Sequence, residues 1–219
     1  VILKAYQTQN GNRMPTFYDF KNYGYLMEDV PKDILDELKN EVSLLNEKST
    51  RSNETLAGNI EKEFFIPSCI PKIEPYILNL MIQYDAAYQY LQTCNVLTGN
   101  LPFSLADLWV NLQKKNEFNP VHNHSGIMSF VIWLEIPFDI EEEHQTSPGV
   151  NSNNNCPGHF EFLYTNTLGT IEKESIPVGK SYEGKIIMFP NRMMHCVYPF
   201  FTSEGERISV SGNVRLKAV

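Results

Sequence analysis

The sequence predicts a mainly β fold with an α-helical N-terminal part, a sandwich or jelly roll of short strands with two long helices on one outer face. Two observations carry the prediction. Apolar residues recur at three- and four-residue spacing through the first hundred positions, and short β-branched and aromatic runs separated by Gly, Pro and Asn clusters fill the rest. With 219 residues, the chain is long enough for one sizeable core and need not divide, so the expected organisation is a single domain over 1–219, helical support in 1–100 and a β core in 101–219.

The first helix is expected after Asp29 and Pro31, where Ile34, Leu35, Leu38, Val42 and Leu45 share a face while Lys39, Asn40 and Glu41 face outward. A second is expected from about Ile73 to Leu91, with Pro75 in its first turn and a continuous apolar and aromatic face of Ile73, Tyr76, Ile77, Leu80, Tyr84, Ala87, Tyr88 and Leu91. Such a stripe at helical spacing indicates packing on a sheet before it indicates a stacking platform. Leu56 to Ile60 reads as a short helix or a loop. After Thr98-Gly99-Asn100, strands are expected at 108–112, 127–136, 159–164, 185–189, 195–198 and 208–216. The stretch 139–158, with three consecutive glutamates, Pro148, Gly149 and asparagines at 151 and 153–155, is expected to be a mobile loop carrying a solvated His144.

Composition excludes several roles. Lys and Arg total 18 against 26 Asp and Glu, a net charge of -8, which disfavours nucleic acid and anionic membrane as general partners. No apolar run approaches the roughly 20 residues that span a bilayer, and Val1-Ile2-Leu3-Lys4 is not a secretory signal, so a cytoplasmic protein is expected. Cys69, Cys94, Cys156 and Cys196 form no Cys-x-x-Cys pair and are read as reduced thiols. Cys196 adjoins a candidate ligand, but strand alternation turns it to the other face.

The chemistry lies in three motifs. His122-Asn123-His124, on an extended segment, directs two imidazoles to one side at i and i+2. His195, after the strand and turn Lys185 to Met194, is the candidate third ligand. On the last strand Arg207, Ser209, Ser211 and Asn213 share one face while Ile208, Val210 and Val214 share the other. If the apolar set packs in the core, a guanidinium faces an interior cavity, where it would cost several kcal/mol unpaired and calls for an anionic partner. The plainer reading of Arg207 is a surface ion pair with Glu204 or Glu206.

At these residues the chain resembles the 2-oxoglutarate- and Fe(II)-dependent oxygenase superfamily, more narrowly a group of short oxygenases of tailed phages and marine bacteria with a His-x-His…His pattern. The resemblance rests on Asn119 to His124, Ser129 to Leu134, Phe189-Pro190 to His195 and Glu206 to Asn213, and covers about 105–216; Leu56 to Ile60 is similar to a segment of phage relatives. It implies a double-stranded β-helix in which His122, His124 and His195 hold Fe(II), while Arg207, Ser209 and Asn111 hold the cosubstrate 2-oxoglutarate. It also implies decarboxylation of the cosubstrate coupled to hydroxylation of a small-molecule or peptidyl substrate, in the host cytoplasm if the chain is phage-encoded. Two alternatives stand beside it: a non-catalytic metal-binding barrel, and a cupin-type metalloprotein, whose downstream glutamate would fall where Met128 and Ser129 stand. The chain departs from the superfamily's usual two histidines and one carboxylate, because His124 occupies the carboxylate position; Glu135 is out of register to replace it. His159 is expected to be structural or to support a ligand, and Trp133 and Tyr164 are candidates for the substrate side.

Overall fold

The computed structural model describes residues 20, 22–94 and 102–217. The start of the chain and the Thr98–Asn100 boundary lie outside the described residues. Ten strands form two antiparallel sheets. The larger has the order β1 (Leu26–Asp29), β8 (Lys185–Pro190), β5 (Met128–Glu135), β10 (Arg207–Leu216), β3 (Phe103–Gln113) and β2 (Lys62–Phe65). The smaller has the order β4 (Asn119–His122), β9 (Met194–Val197), β6 (Phe160–Thr165) and β7 (Ile171–Ile176). Consecutive strands from β3 to β10 alternate between the sheets, apart from the β6–β7 hairpin. That alternation is a jelly roll, and its two inner faces enclose the site.

Two apolar clusters follow from the alternation. Val110, Ile132, Met188, Val210 and Val214 point out of the larger sheet and pack against α1 (Lys32–Ser43) and α2 (Ile70–Tyr88), through Ile34, Leu38, Ile73, Ile77, Leu80 and Tyr84. Both helices lie on this face, as the sequence predicts. Trp133, Phe160, Phe162, Ile187 and Phe189 fill the space between the sheets.

Several expectations need correction. The first hundred residues also contribute two strands, β1 and β2, which extend the larger sheet at its two edges. Four-residue edge strands carry too little alternation to be read from sequence. Helix α2 begins a turn earlier than expected, with Pro71 in its first turn, so Pro75 falls inside the helix, where its missing N–H removes a hydrogen bond. Strands β4 and β7 are also additions; Pro120 is tolerated because β4 is an edge. Leu56 to Ile60 is a loop after a short 3-10 turn at Asn53–Thr55.

The 139–158 stretch is not simply a loop. It opens with α3 (Ile140–Thr146), whose start is capped by the Asp139 carboxylate accepting the N–H groups of Glu141 (3.0 Å) and Glu142 (3.1 Å). Glu143 is fully buried and accepts from Phe201 N (2.9 Å), Thr202 N (2.7 Å) and Thr202 Oγ1 (2.6 Å), tying α3 to the segment before β10. Glu143→Ala should orphan these donors and cost about 2–4 kcal/mol of stability in urea unfolding; a loss below about 1 kcal/mol would show the tie to be unimportant.

Candidate metal and cosubstrate site

The metal-type residues converge because β4 pairs with β9. In that register His122 lies directly opposite His195, and cross-strand partners put their side chains on the same face. His124 falls just past the end of β4, so strand alternation alone does not aim it. Its N–H donates to Asn191 O (2.9 Å), and its carbonyl accepts from Asn191 Nδ2 (2.7 Å). Buried Asn191 in the turn between β8 and β9 therefore holds both sides of the His124 peptide. One candidate ligand atom from each of His122, His124 and His195 lies within 4.8 Å of the others.

Ring environments fix the tautomers. The Nδ1–H of His122 donates to Pro120 O (2.7 Å) and that of His195 to Met193 O (2.9 Å), leaving both Nε2 lone pairs for a metal. Phe160 stacks on His195 at 5.4 Å between centroids, and Trp109 lies 5.7 Å from His124. Burial holds the imidazoles in the neutral form: it lowers His122 against the opposing pull of the Pro120 carbonyl, lowers His124 to about 4 with help from His122, and lowers His195 well below its ordinary value. Three neutral nitrogen donors suit a divalent first-row ion. No carboxylate joins them among the described residues.

A narrow cavity of about 40 Å³ runs inward from this cluster. Its wall on the larger sheet carries Trp109, Asn111 and Gln113 of β3 beside Ser211, Ser209 and Arg207 of β10, paired row by row across the sheet. The predicted common face of Arg207, Ser209 and Ser211 is therefore the cavity face. Trp133 lines the cavity too, whereas Tyr164 lies in a separate surface groove with Tyr25 and Met193.

Arg207 is 2 % exposed at the inner end. Glu206 instead pairs with Lys62 (2.9 Å) and Glu204 with Lys115, so the ion-pair reading of Arg207 does not hold. Gln113 Oε1 accepts from Nε (3.1 Å) and Nη2 (2.7 Å), Gly158 O from Nη1 (2.8 Å), and Tyr198 O from Nη2 (2.9 Å). All three acceptors are neutral. Burial pushes the guanidinium down to about 9, partly offset by Glu143. Asn111 Nδ2 donates to Ser209 Oγ (3.4 Å), and buried Asn111 Oδ1 has no partner among the described residues. A cationic end and under-used polar groups in the middle give this cavity the charge and hydrogen-bonding pattern that complements a dicarboxylate.

His159 does not join the cluster. Its Nε2 lies 2.7 Å from His144 Nε2 and its Nδ1 2.7 Å from Ser175 Oγ. His144 is thus engaged, contrary to the expected solvated loop residue. Cys196 is buried opposite Glu161 in the β9–β6 pairing, away from a ligand role, and all four cysteines are free. Asn191, Gln113 and the ring partners Trp109 and Phe160 went unrecognised in the sequence. Gln113 was detectable, at i+2 from Asn111 on the same strand; Asn191 acts through a turn whose geometry no spacing reveals.

A jelly roll holding three inward imidazoles at one end of such a cavity is a double-stranded β-helix with a candidate metal site. Residues 107–213, the segment from β3 to β10, match the family described as "Putative 2OG-Fe(II) oxygenase". The match covers just under half of the chain, and the donors found in that segment are compatible with the cofactors the family's name gives, Fe(II) and 2-oxoglutarate. Among solved structures, a prolyl-4-hydroxylase from Pseudomonas putida aligns at 17% identity and TM-score 0.49, over 90% of this chain and 94% of its own. The viral collagen prolyl hydroxylase of Paramecium bursaria Chlorella virus-1, as a 2-oxoglutarate complex, aligns at 14% and 0.47 over 88% and 96%. HygX from Streptomyces hygroscopicus, with nickel and 2-oxoglutarate bound, aligns at 10% and 0.47 over 89% and 84%. No curated protein matches the chain in sequence. No described helix is long and apolar enough to cross a membrane.

Asn191→Ala should leave the fold intact but weaken Co(II) binding roughly tenfold in a visible-absorption titration, because His124 loses its clasp. Unchanged affinity would show that the ring contacts alone position His124.

Proposed function

We propose that the chain hydroxylates a small-molecule or peptidyl substrate, with His122, His124 and His195 holding the iron, and Arg207, Ser209 and Asn111 holding 2-oxoglutarate. The carrying observation is the buried, positively charged end of the cavity: Arg207 has no carboxylate against it, and it lies along one strand face from Ser209 toward the imidazoles. Bound iron would supply oxygen activation coupled to decarboxylation of the cosubstrate. Arg207 anchors the distal carboxylate, Ser209 and Asn111 hydrogen-bond along its length, and the apolar walls of Trp133, Phe160 and Phe189 exclude water.

Substrate enters from the other side of His124. There a second cavity is lined by Thr55, Leu56, Phe65, Asp107, Trp109, Asn123, Ser125 and Arg215, with Asp107 paired to Arg215 at 2.6 Å. Its polar lining suits a ligand rich in hydrogen-bonding groups, as a peptide backbone is. In this reading 1–219 works as one oxygenase domain, the helical first hundred residues stiffening the larger sheet behind the site. The acidic surface disfavours nucleic acid as substrate, and reduced thiols suit the cytoplasm.

A three-imidazole set leaves the ion its full two positive charges, where a carboxylate would remove one. This favours binding of an anionic cosubstrate and makes the metal harder to oxidise. A scaffold barrel or a cupin would keep the imidazoles without needing Arg207.

Anaerobic Fe(II) with 2-oxoglutarate should produce a weak visible charge-transfer band, absent in His195→Ala. Ser209→Ala and Asn111→Ala, which spare the ligands, should each shift the 2-oxoglutarate titration about tenfold. A missing band in the native protein at saturating ligand would contradict the assignment, as would unchanged titrations in both variants.

A further inference from the structure

Glu63 is the least expected residue on β2. It is 1 % exposed and directly opposite Asn111 in the β2–β3 register, and its neighbours Phe64 and Phe65 mark the strand as an ordinary apolar edge. One carboxylate oxygen accepts from Asn53 Nδ2 (3.2 Å); the other, Oε1, has no partner. Asn119 Oδ1, at the start of β4, is also buried and unpartnered. The two orphans face the same place: a Cβ built on Gly58 would lie 2.6 Å from Asn119 Oδ1 and 2.7 Å from Glu63 Oε1. Glycine at 58 leaves the space in which they converge. Two acceptor oxygens meeting away from water repel unless a proton lies between them.

We propose that Glu63 is a positioning residue for the metal-bearing strand: its carboxyl stays protonated and donates to Asn119 Oδ1, fastening β4 to β2 across the Gly58 gap. The fastening lies three residues before His122. It acts beside two ties donated by backbone N–H groups of the preceding loop, Asn59 N to Phe118 O (2.8 Å) and Glu61 N to the Glu117 carboxylate Oε1 (2.9 Å). Together they set where β4 begins, and so how His122 meets His195.

The surrounding charges favour the neutral acid. Burial and then Glu117 push the carboxyl up to about 7. Arg51 is spent on the Phe64 ring and Glu61 O, Lys114 on Glu61, and Lys62 on Glu206. Across β3, Asn111 is neutral, and Arg207 lies beyond Gln113. No cation faces the Glu63 carboxyl from these elements. The sign follows: because the folded carboxyl lies above its unfolded value of 4.5, its stabilising contribution is fully present below pH 4.5 and is lost as pH rises to about 7. Above that, a bare carboxylate confronts Asn119.

The test compares the native protein with Glu63→Gln, which keeps a donor at that position at every pH. Native Co(II) affinity should fall roughly tenfold relative to Glu63→Gln between pH 6.5 and 8.5, and the unfolding midpoint of Glu63→Gln should gain on the native one from pH 4.5 to 7. Burial lowers all three imidazoles in both proteins alike, so their titration cancels in the affinity ratio. Infrared spectra of the native protein should show a protonated-carboxyl band at pH 6 that disappears through pH 7–8 and is absent from Glu63→Gln. This arm needs no metal, so it can fail independently of the ligand assignment on which the affinity arm rests. No such band, or a constant affinity ratio with a constant difference in midpoint, would overturn the proposal and show that Asn119 presents its Nδ2 to a carboxylate.

Discussion

The pairing of β4 with β9 is the contact on which the site depends. It is short and lies at the edge of the smaller sheet, and its register slips between Asn119 and His122, yet it sets His122 opposite His195. A strand with one neighbour and a proline at its second position has little ladder energy of its own. The chain compensates from both ends: Asn191 grips the His124 peptide, and Asn59 and Glu61 hold Phe118 and Glu117. The pairing places the imidazoles, and the polar contacts around it hold the pairing in register.

The second constraint is the buried charge at the inner end of the cavity. Arg207 is solvated there by Gln113 and two carbonyls, an arrangement that tolerates a cation without neutralising it. Glu143, the nearest buried acid to act on it, is itself spent on the 201–202 backbone. An incoming carboxylate would meet a guanidinium already oriented, with part of its desolvation cost met during folding. A divalent ion on the three neutral imidazoles, together with Arg207, would favour a doubly charged anion.

Much of this was legible in the sequence. The alternation of Arg207 and Ser209 against Ile208 and Val210, and the helical faces of α1 and α2, are direct consequences of backbone periodicity. What escaped was set by contact between segments distant in sequence. The strands β1 and β2 exist because a sheet edge offers them partners, α3 because Asp139 caps it and Glu143 finds donors near residue 201. The aim of His124 comes from Asn191. Arg207 called for an acid by simple electrostatics, but the fold answered with an amide and carbonyls, which no charge count anticipates.

If metal and cosubstrate share one cavity, each must change the affinity of the other, and reciprocal binding tests this most directly. Calorimetric titration of 2-oxoglutarate under anaerobic conditions should show at least tenfold tighter binding to the Fe(II)-loaded protein than to the metal-free protein, with Fe(II) gaining by the same factor when 2-oxoglutarate is present. Equal affinities with and without metal would mean that the two do not meet, and the oxygenase reading of this cavity would be contradicted.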